Sequence, residues 1–250
     1  MKKLQFILFT TFIAIHSAFA VEKLDKELPQ CYKILRDSVY MTSTPKESVD
    51  ANYENVIAYA KETYGNSEEN KSELLTLLSM CDYMKGLDGY YRKDKKRAVT
   101  FLDSSIENAK KSMEIKKTAS NITVYAKALF QRADYDRITF GLKWIPKIMD
   151  ICDQAIKINP DYTAAYQMKY AILCYIPSPY GNYKEGAVKM ASLLDEKWIK
   201  EKDDFFSINA SLAYAYEKTN RKDEAKTLYL KALTYYPDNL QVKEALKGLK

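Results

Sequence analysis

The chain all but lacks histidine, the residue enzymes most often use to move protons. Its only histidine is His16, which falls in an N-terminal stretch that reads as a cleaved leader. A mature chain without histidine excludes His-based general acid–base catalysis, Ser-His-Asp or Cys-His nucleophile activation, and His metal ligands. Neither GxxxxGK[ST] nor GxGxxG occurs, so no phosphate cradle is written in the sequence. Two carboxylates alone can hydrolyse a glycoside, but no spacing here nominates a pair. The expectation is a non-enzyme with no cofactor and no metal.

Glycine and proline are scarce, at seven each in 250 residues, and Ala, Leu, Lys, Glu and Tyr are abundant. That balance excludes turn-rich β architectures and favours long helices. CxxC is absent too. Cys31, Cys81, Cys152 and Cys174 stand far apart. In an oxidising compartment four cysteines allow three pairings. The last three, however, fall in helical apolar patterns, where buried thiols fill helix faces.

There is one long apolar run and no second. Lys2 and Lys3 precede Leu4–Ile15, and Ala18-Phe19-Ala20 follows with the small-x-small pattern of a signal-peptidase site. Residues 1–20 are therefore expected to be a signal peptide cut after Ala20. Residues 21–250 are then a single helical-repeat domain, periplasmic or secreted, with no transmembrane segment after cleavage. A retained anchor is the alternative. Acylation at Cys31 fits less well, because Gln30 is not small and charged residues separate it from the run.

Charge is also not one-sided. The whole chain carries +6, and removing Lys2 and Lys3 leaves +4, with both signs intermixed. No nucleic-acid partner is expected. The one dense patch, Arg92-Lys93-Asp94-Lys95-Lys96-Arg97, reads as a solvated turn between helices.

What the sequence does contain is repetition. Residues 206–239 read FSINASLAYAYEKTNRKDEAKTLYLKALTYYPDN. Numbered from Phe206, the unit has Leu212 at position 7 and Ala213 at 8, followed by Tyr216 at 11 and Ala225 at 20. Tyr229 at 24, Ala232 at 27 and Pro237 at 32 complete it, and Asn209 at position 4 is the sole departure. Small residues at 8, 20 and 27 let two antiparallel helices approach closely. Asn220 lies in the turn between them, and Pro237 closes the second helix. This unit closely resembles a tetratricopeptide repeat (TPR).

Upstream units are more degenerate. Ile148, Cys152, Ala155 and Pro160 keep positions 20, 24, 27 and 32 of one, whose first helix departs at Arg132, Asp136 and Thr139. Another starts at Thr163 and is interrupted by a Pro/Gly loop at 177–182. Gly86, Ala98 and Leu102 take positions 8, 20 and 24 of a unit with longer helices, the second over Lys95–Lys116. A further pair covers residues 25–41 and the segment around Asn52–Ala60, with Thr44-Pro45 as cap and first-turn proline. Leu240–Leu249 reads as a solvating end helix. The fold expected is all-α, a TPR-like right-handed solenoid of about five helical hairpins plus a C-terminal capping helix.

The long helix at Lys95–Lys116, the 177–182 insertion and the leader together also resemble the TPR components associated with periplasmic TRAP transporters, although the lipobox cysteine of that family has no convincing match. The TPR resemblance implies a scaffold that binds a protein partner through a concave groove. The wider one implies an accessory to solute transport or envelope assembly, with a periplasmic solute-binding protein or envelope complex as partner. In TPR units positions 2, 5, 9, 12 and 13 of the first helix line the groove. Carried onto this chain they nominate Tyr83, Tyr90, Tyr91, Arg137, Gln167, Tyr175, Tyr214 and Lys218. A periplasmic carrier holding a small apolar solute in a pore or pocket of the repeats is the alternative. An open, polar-rimmed groove favours the first reading and a closed apolar cavity the second.

Overall fold

A computed structural model describes residues 23–135, 144–195 and 201–249. The leader, the Val21 terminus expected from its cleavage, Arg137, Asp136 and Thr139 lie outside the described residues. Among those described there are twelve α-helices and no strand. They are α1 Lys23–Lys26, α2 Gln30–Tyr40, α3 Lys46–Tyr64, α4 Lys71–Tyr91, α5 Lys95–Ile115 and α6 Ala119–Ala133. The remainder are α7 Ile145–Ile158, α8 Thr163–Tyr175, α9 Tyr183–Ser192, α10 Lys202–Lys218, α11 Lys222–Tyr235 and α12 Leu240–Gly248.

Five antiparallel hairpins follow from this order: α2/α3, α4/α5, α6/α7, α8/α9 and α10/α11, with α12 packed on the last. Each even-numbered helix from α2 to α8 also touches the next even-numbered one. Those five helices form one inner layer and their partners an outer one. Five hairpins plus an end helix is the number expected from the repeats.

Close approach of paired helices comes from small residues, as the repeat pattern requires. Between α10 and α11, Ala213, Ala225 and Ala232 are fully buried. Asn220 in the turn sits at φ 62°, a left-handed conformation that asparagine tolerates well. The longer α4/α5 hairpin uses glycine and serine instead. A Cβ on Gly89 would fall 2.5 Å from the backbone nitrogen of Ala98, and one on Gly86 would meet Leu102 at 2.7 Å. Further along the seam, Ser79 and Ser105 each donate to the other's carbonyl at 2.8 Å. Hydroxyls that would be costly if orphaned thus hold the two helices in register.

Side-chain caps mark four of the described α-helix starts. Asp94 accepts from the Arg97 amide, Asn182 from Glu185 and Asn239 from Val242. At Thr118 a reciprocal box forms with Asn121. This last cap corrects the sequence register. The 34-residue spacing places the first helix of the third hairpin from about Leu129 onward. The Thr118 box starts it at Ala119 instead, and it ends at Ala133. Thr44-Pro45 also differs in detail: Pro45 is the N-cap residue itself, and no side chain caps α3.

The basic cluster is a structural joint more than a free loop. Arg92 pairs with Asp88 at 2.6 Å, and Arg97 reaches Asp50 at 2.6 Å and Asp88 at 2.9 Å. Only Lys93, Lys95 and Lys96 of the cluster are exposed. All four cysteines carry free thiols, with Cys81, Cys152 and Cys174 buried as the helical pattern implies.

Candidate functional site

The inner helices and the start of α12 line a half-open cavity of about 530 Å³. Its walls come from side chains spaced three and four apart, the spacing that puts residues on one helix face. Tyr83, Leu87, Tyr90 and Tyr91 come from α4, and Lys127, Phe130, Gln131 and Asp134 from α6 and its end. The α8 stripe is Gln167, Met168, Ala171 and Tyr175, and the α10 stripe is Phe206, Ala210, Ser211 and Tyr214. Tyr40 closes the side toward α2, and Asn239, Val242 and Ala245 close it from the cap.

Six of the eight nominated groove residues, Tyr83, Tyr90, Tyr91, Gln167, Tyr175 and Tyr214, meet in this one cavity. Lys218 is not on its wall; its ammonium lies 4.8 Å from the centre of the Tyr214 ring, on the rim. The nominated Arg137 lies outside the described residues, and in the third hairpin the described wall is the α6 stripe. Sequence reasoning misses Tyr40, Phe130, Phe206 and Tyr229, because their helices have no repeat register or their rings read as packing. The stripe Lys127, Phe130, Gln131, Asp134 is legible in principle: the Thr118-x2-Asn121 box marks where that helix begins.

The cavity is aromatic and close to electrically balanced. Among the described residues on its wall, Lys127 and Asp134 alone are formally charged. Asp134 accepts from the Gln131 amide at 2.9 Å. The phenols of Tyr83, Tyr91 and Tyr175 are all pushed up by burial, Tyr175 to about 12, so they are neutral donors at ordinary pH. Tyr175 accepts from Ser211 at 3.2 Å, and its ring lies 4.8 Å from that of Tyr214, tilted by 42°. Tyr90 and Tyr91 form a second tilted pair at 5.9 Å. Such a surface offers large apolar area with hydrogen-bonding edges and little conformational freedom to lose on binding.

Around the start of α10 charged groups cluster beside α2 and α8. Arg36, 3% exposed, meets Asp203 at 2.6 Å and Glu201 at 3.6 Å. Next to it, Asp204 accepts from Gln167 at 2.7 Å. Burial and the neighbouring Asp203 carboxylate push Asp204 up to about 6, against the opposing pull of Lys127. Among the described residues no three His, Cys, Asp or Glu side chains come together as a metal site. No described helix is long and apolar enough to cross a membrane.

No protein-family model matches the sequence, and no curated protein matches it. Two solved structures resemble the chain. One, a thermophilic TPR protein of Thermus thermophilus, superposes with a TM-score of 0.52 at 16% identity, covering 79% of this chain and 98% of its own. The other, YrrB, a TPR protein with an unusual peptide-binding site, gives 0.39 at 14% identity, covering 78% and 91%. The paired helices, the small-residue seams and the first of these superpositions together show a TPR-like all-α fold.

Proposed function

We propose that this chain is a TPR scaffold that binds a protein partner by taking a short segment of it into the aromatic cavity of its concave face. The observation that supports this most is the convergence of Tyr83, Tyr90, Tyr91, Tyr175 and Tyr214 on one cavity from three inner helices. The cavity's size sits in the ordinary range for small-ligand pockets, about 300–1,000 Å³. It therefore suits a few side chains of an extended segment. A second reading, a carrier of a small apolar solute, is favoured by the cavity's closure on the α2 side and by its scarcity of charge. Export to the periplasm or outside the cell is part of the proposal and rests on the leader sequence. The role as accessory to a transporter or envelope complex rests on the sequence resemblance alone.

Affinity capture with the mature chain from extracts of its own source identifies the partner, and variants then test the site. Tyr214→Ala combined with Lys218→Ala removes an aromatic anchor and the cation beside it. It should weaken partner binding by about 2 kcal/mol or more, as at an interface hot spot. Lys226→Ala, on the outer helix α11 and exposed, should leave binding unchanged. Equal losses from the two would place the binding surface elsewhere. A small apolar molecule carried through purification in the cavity, in place of any captured protein, would support the carrier reading instead.

A further inference from the structure

The two ends of the repeat array are joined. In an open solenoid each repeat touches only its neighbours, yet here the first hairpin grips the last. Tyr236, fully buried, donates to Asp37 at 2.6 Å across 199 residues of sequence. Thr42 donates to the Asp238 carbonyl at 2.6 Å and accepts from the Leu240 amide at 3.0 Å. The Asn239 amide donates to the Tyr40 carbonyl at 3.0 Å. Three rings, Tyr40, Phe206 and Tyr236, pack mutually with centroids 5.0–5.1 Å apart.

This clasp and the cavity share residues. Tyr40, Phe206 and Asn239 belong to the clasp and also line the cavity wall, together with Tyr90 and Tyr175. We infer that the cavity is complete only while the clasp is closed, so that occupancy and head-to-tail closure are thermodynamically linked. The inference rests on the proposal that the cavity is the binding site and adds how that site is controlled. An occupant touching both walls gains contacts that exist only in the closed ring. It must therefore favour closure, and whatever loosens the clasp must lower its affinity by the same factor. The partner's access is set at a joint formed by Thr42 and Tyr236, neither of which needs to touch the partner. They are positioning residues.

The full chain can be tested with 1-anilinonaphthalene-8-sulfonate as an apolar probe of the cavity. Spin labels at Glu47→Cys and Glu244→Cys, both exposed positions flanking the clasp, report closure in a Cys31→Ser background. Thr42→Val with Tyr236→Phe removes three end-to-end hydrogen bonds and keeps side-chain shape. The pair should broaden the label distances and weaken the probe about tenfold, within the usual range of coupling between sites. Added probe should narrow the distances again. Tyr236→Phe alone, a single hydroxyl, should show a smaller loss in the same direction should the double variant fold poorly. Ala171→Trp, which fills the cavity, should abolish probe binding with the clasp intact. If Ala171→Trp abolishes binding but the clasp variants bind as tightly as wild type, the coupling is refuted and the cavity reading stands. If the probe does not bind, or Ala171→Trp leaves it unchanged, the cavity reading fails and the coupling with it.

Discussion

Asp204 carries a carboxylate that the fold does not welcome. Its pKa of about 6 lies above the ~3.9 of an unfolded aspartate. Folding therefore favours the protonated form. The stability this group contributes is present at low pH and is lost as pH rises through about 6. A shift of this size corresponds to roughly 1–2 kcal/mol for a side chain still partly reached by solvent. Asp204→Asn keeps an acceptor for Gln167 and removes the charge. It should raise the melting temperature at pH 8 and leave it unchanged near pH 4. A variant destabilised at both pH values would show that the carboxylate is needed by Arg36 and Lys127 around it. The sequence displays Asp203-Asp204 plainly, yet nothing local says that the first turn of α10 would be packed against α2 and α8. The packing there comes from Gln167 of α8 and Arg36 of α2, both distant in sequence.

At the scale of the element, legibility tracks the small residues. The α10/α11 hairpin is readable because Ala213, Ala225 and Ala232 mark a close seam at fixed spacing, and all three are buried as that spacing demands. The α4/α5 hairpin meets the same need with Gly86, Gly89 and paired serines. A pattern written for alanine and aromatics catches that only in part. The repeat spacing misplaces the third hairpin because its inner helix is fixed by a Thr-Asn cap, which does not belong to the repeat. The glycines make a sharp test. Ala is a better helix former than Gly by about 1 kcal/mol, so Gly→Ala inside α4 should stabilise if space allowed. Gly89→Ala drives a methyl into the backbone of Ala98, which cannot rotate away. It should instead cost about 1–3 kcal/mol net, as overpacking does. Gly86→Ala meets the side chain of Leu102, which can yield, and should cost clearly less. Thermal unfolding of the two variants decides it, and a Gly89→Ala chain as stable as wild type would mean the helices do not approach as described.

The whole molecule behaves as a closed chain of hairpins, and that closure has no signature in the sequence. Repeat patterns report contacts between neighbours, while the clasp joins residues separated by 195–199 positions. It does so with ordinary side chains in two turns. The consequence is measurable. In a linear array a local lesion stays local, because each repeat is stabilised by its neighbours alone. Tyr236 is fully buried, and its ring packs on both Tyr40 of the first hairpin and Phe206 of the last. Tyr236→Ala should cost about 3–5 kcal/mol, in the range of other buried aromatic truncations. The loss should appear at both ends of the chain. Hydrogen exchange followed along the backbone should show faster exchange in Gln30–Tyr40 as well as in α10 and α11. The middle hairpin α6/α7, which supplies none of the clasp's residues, should keep more of its protection. Faster exchange confined to α10–α12, with α2 unchanged, would show that the ends are not energetically joined and that the array is an open solenoid in solution.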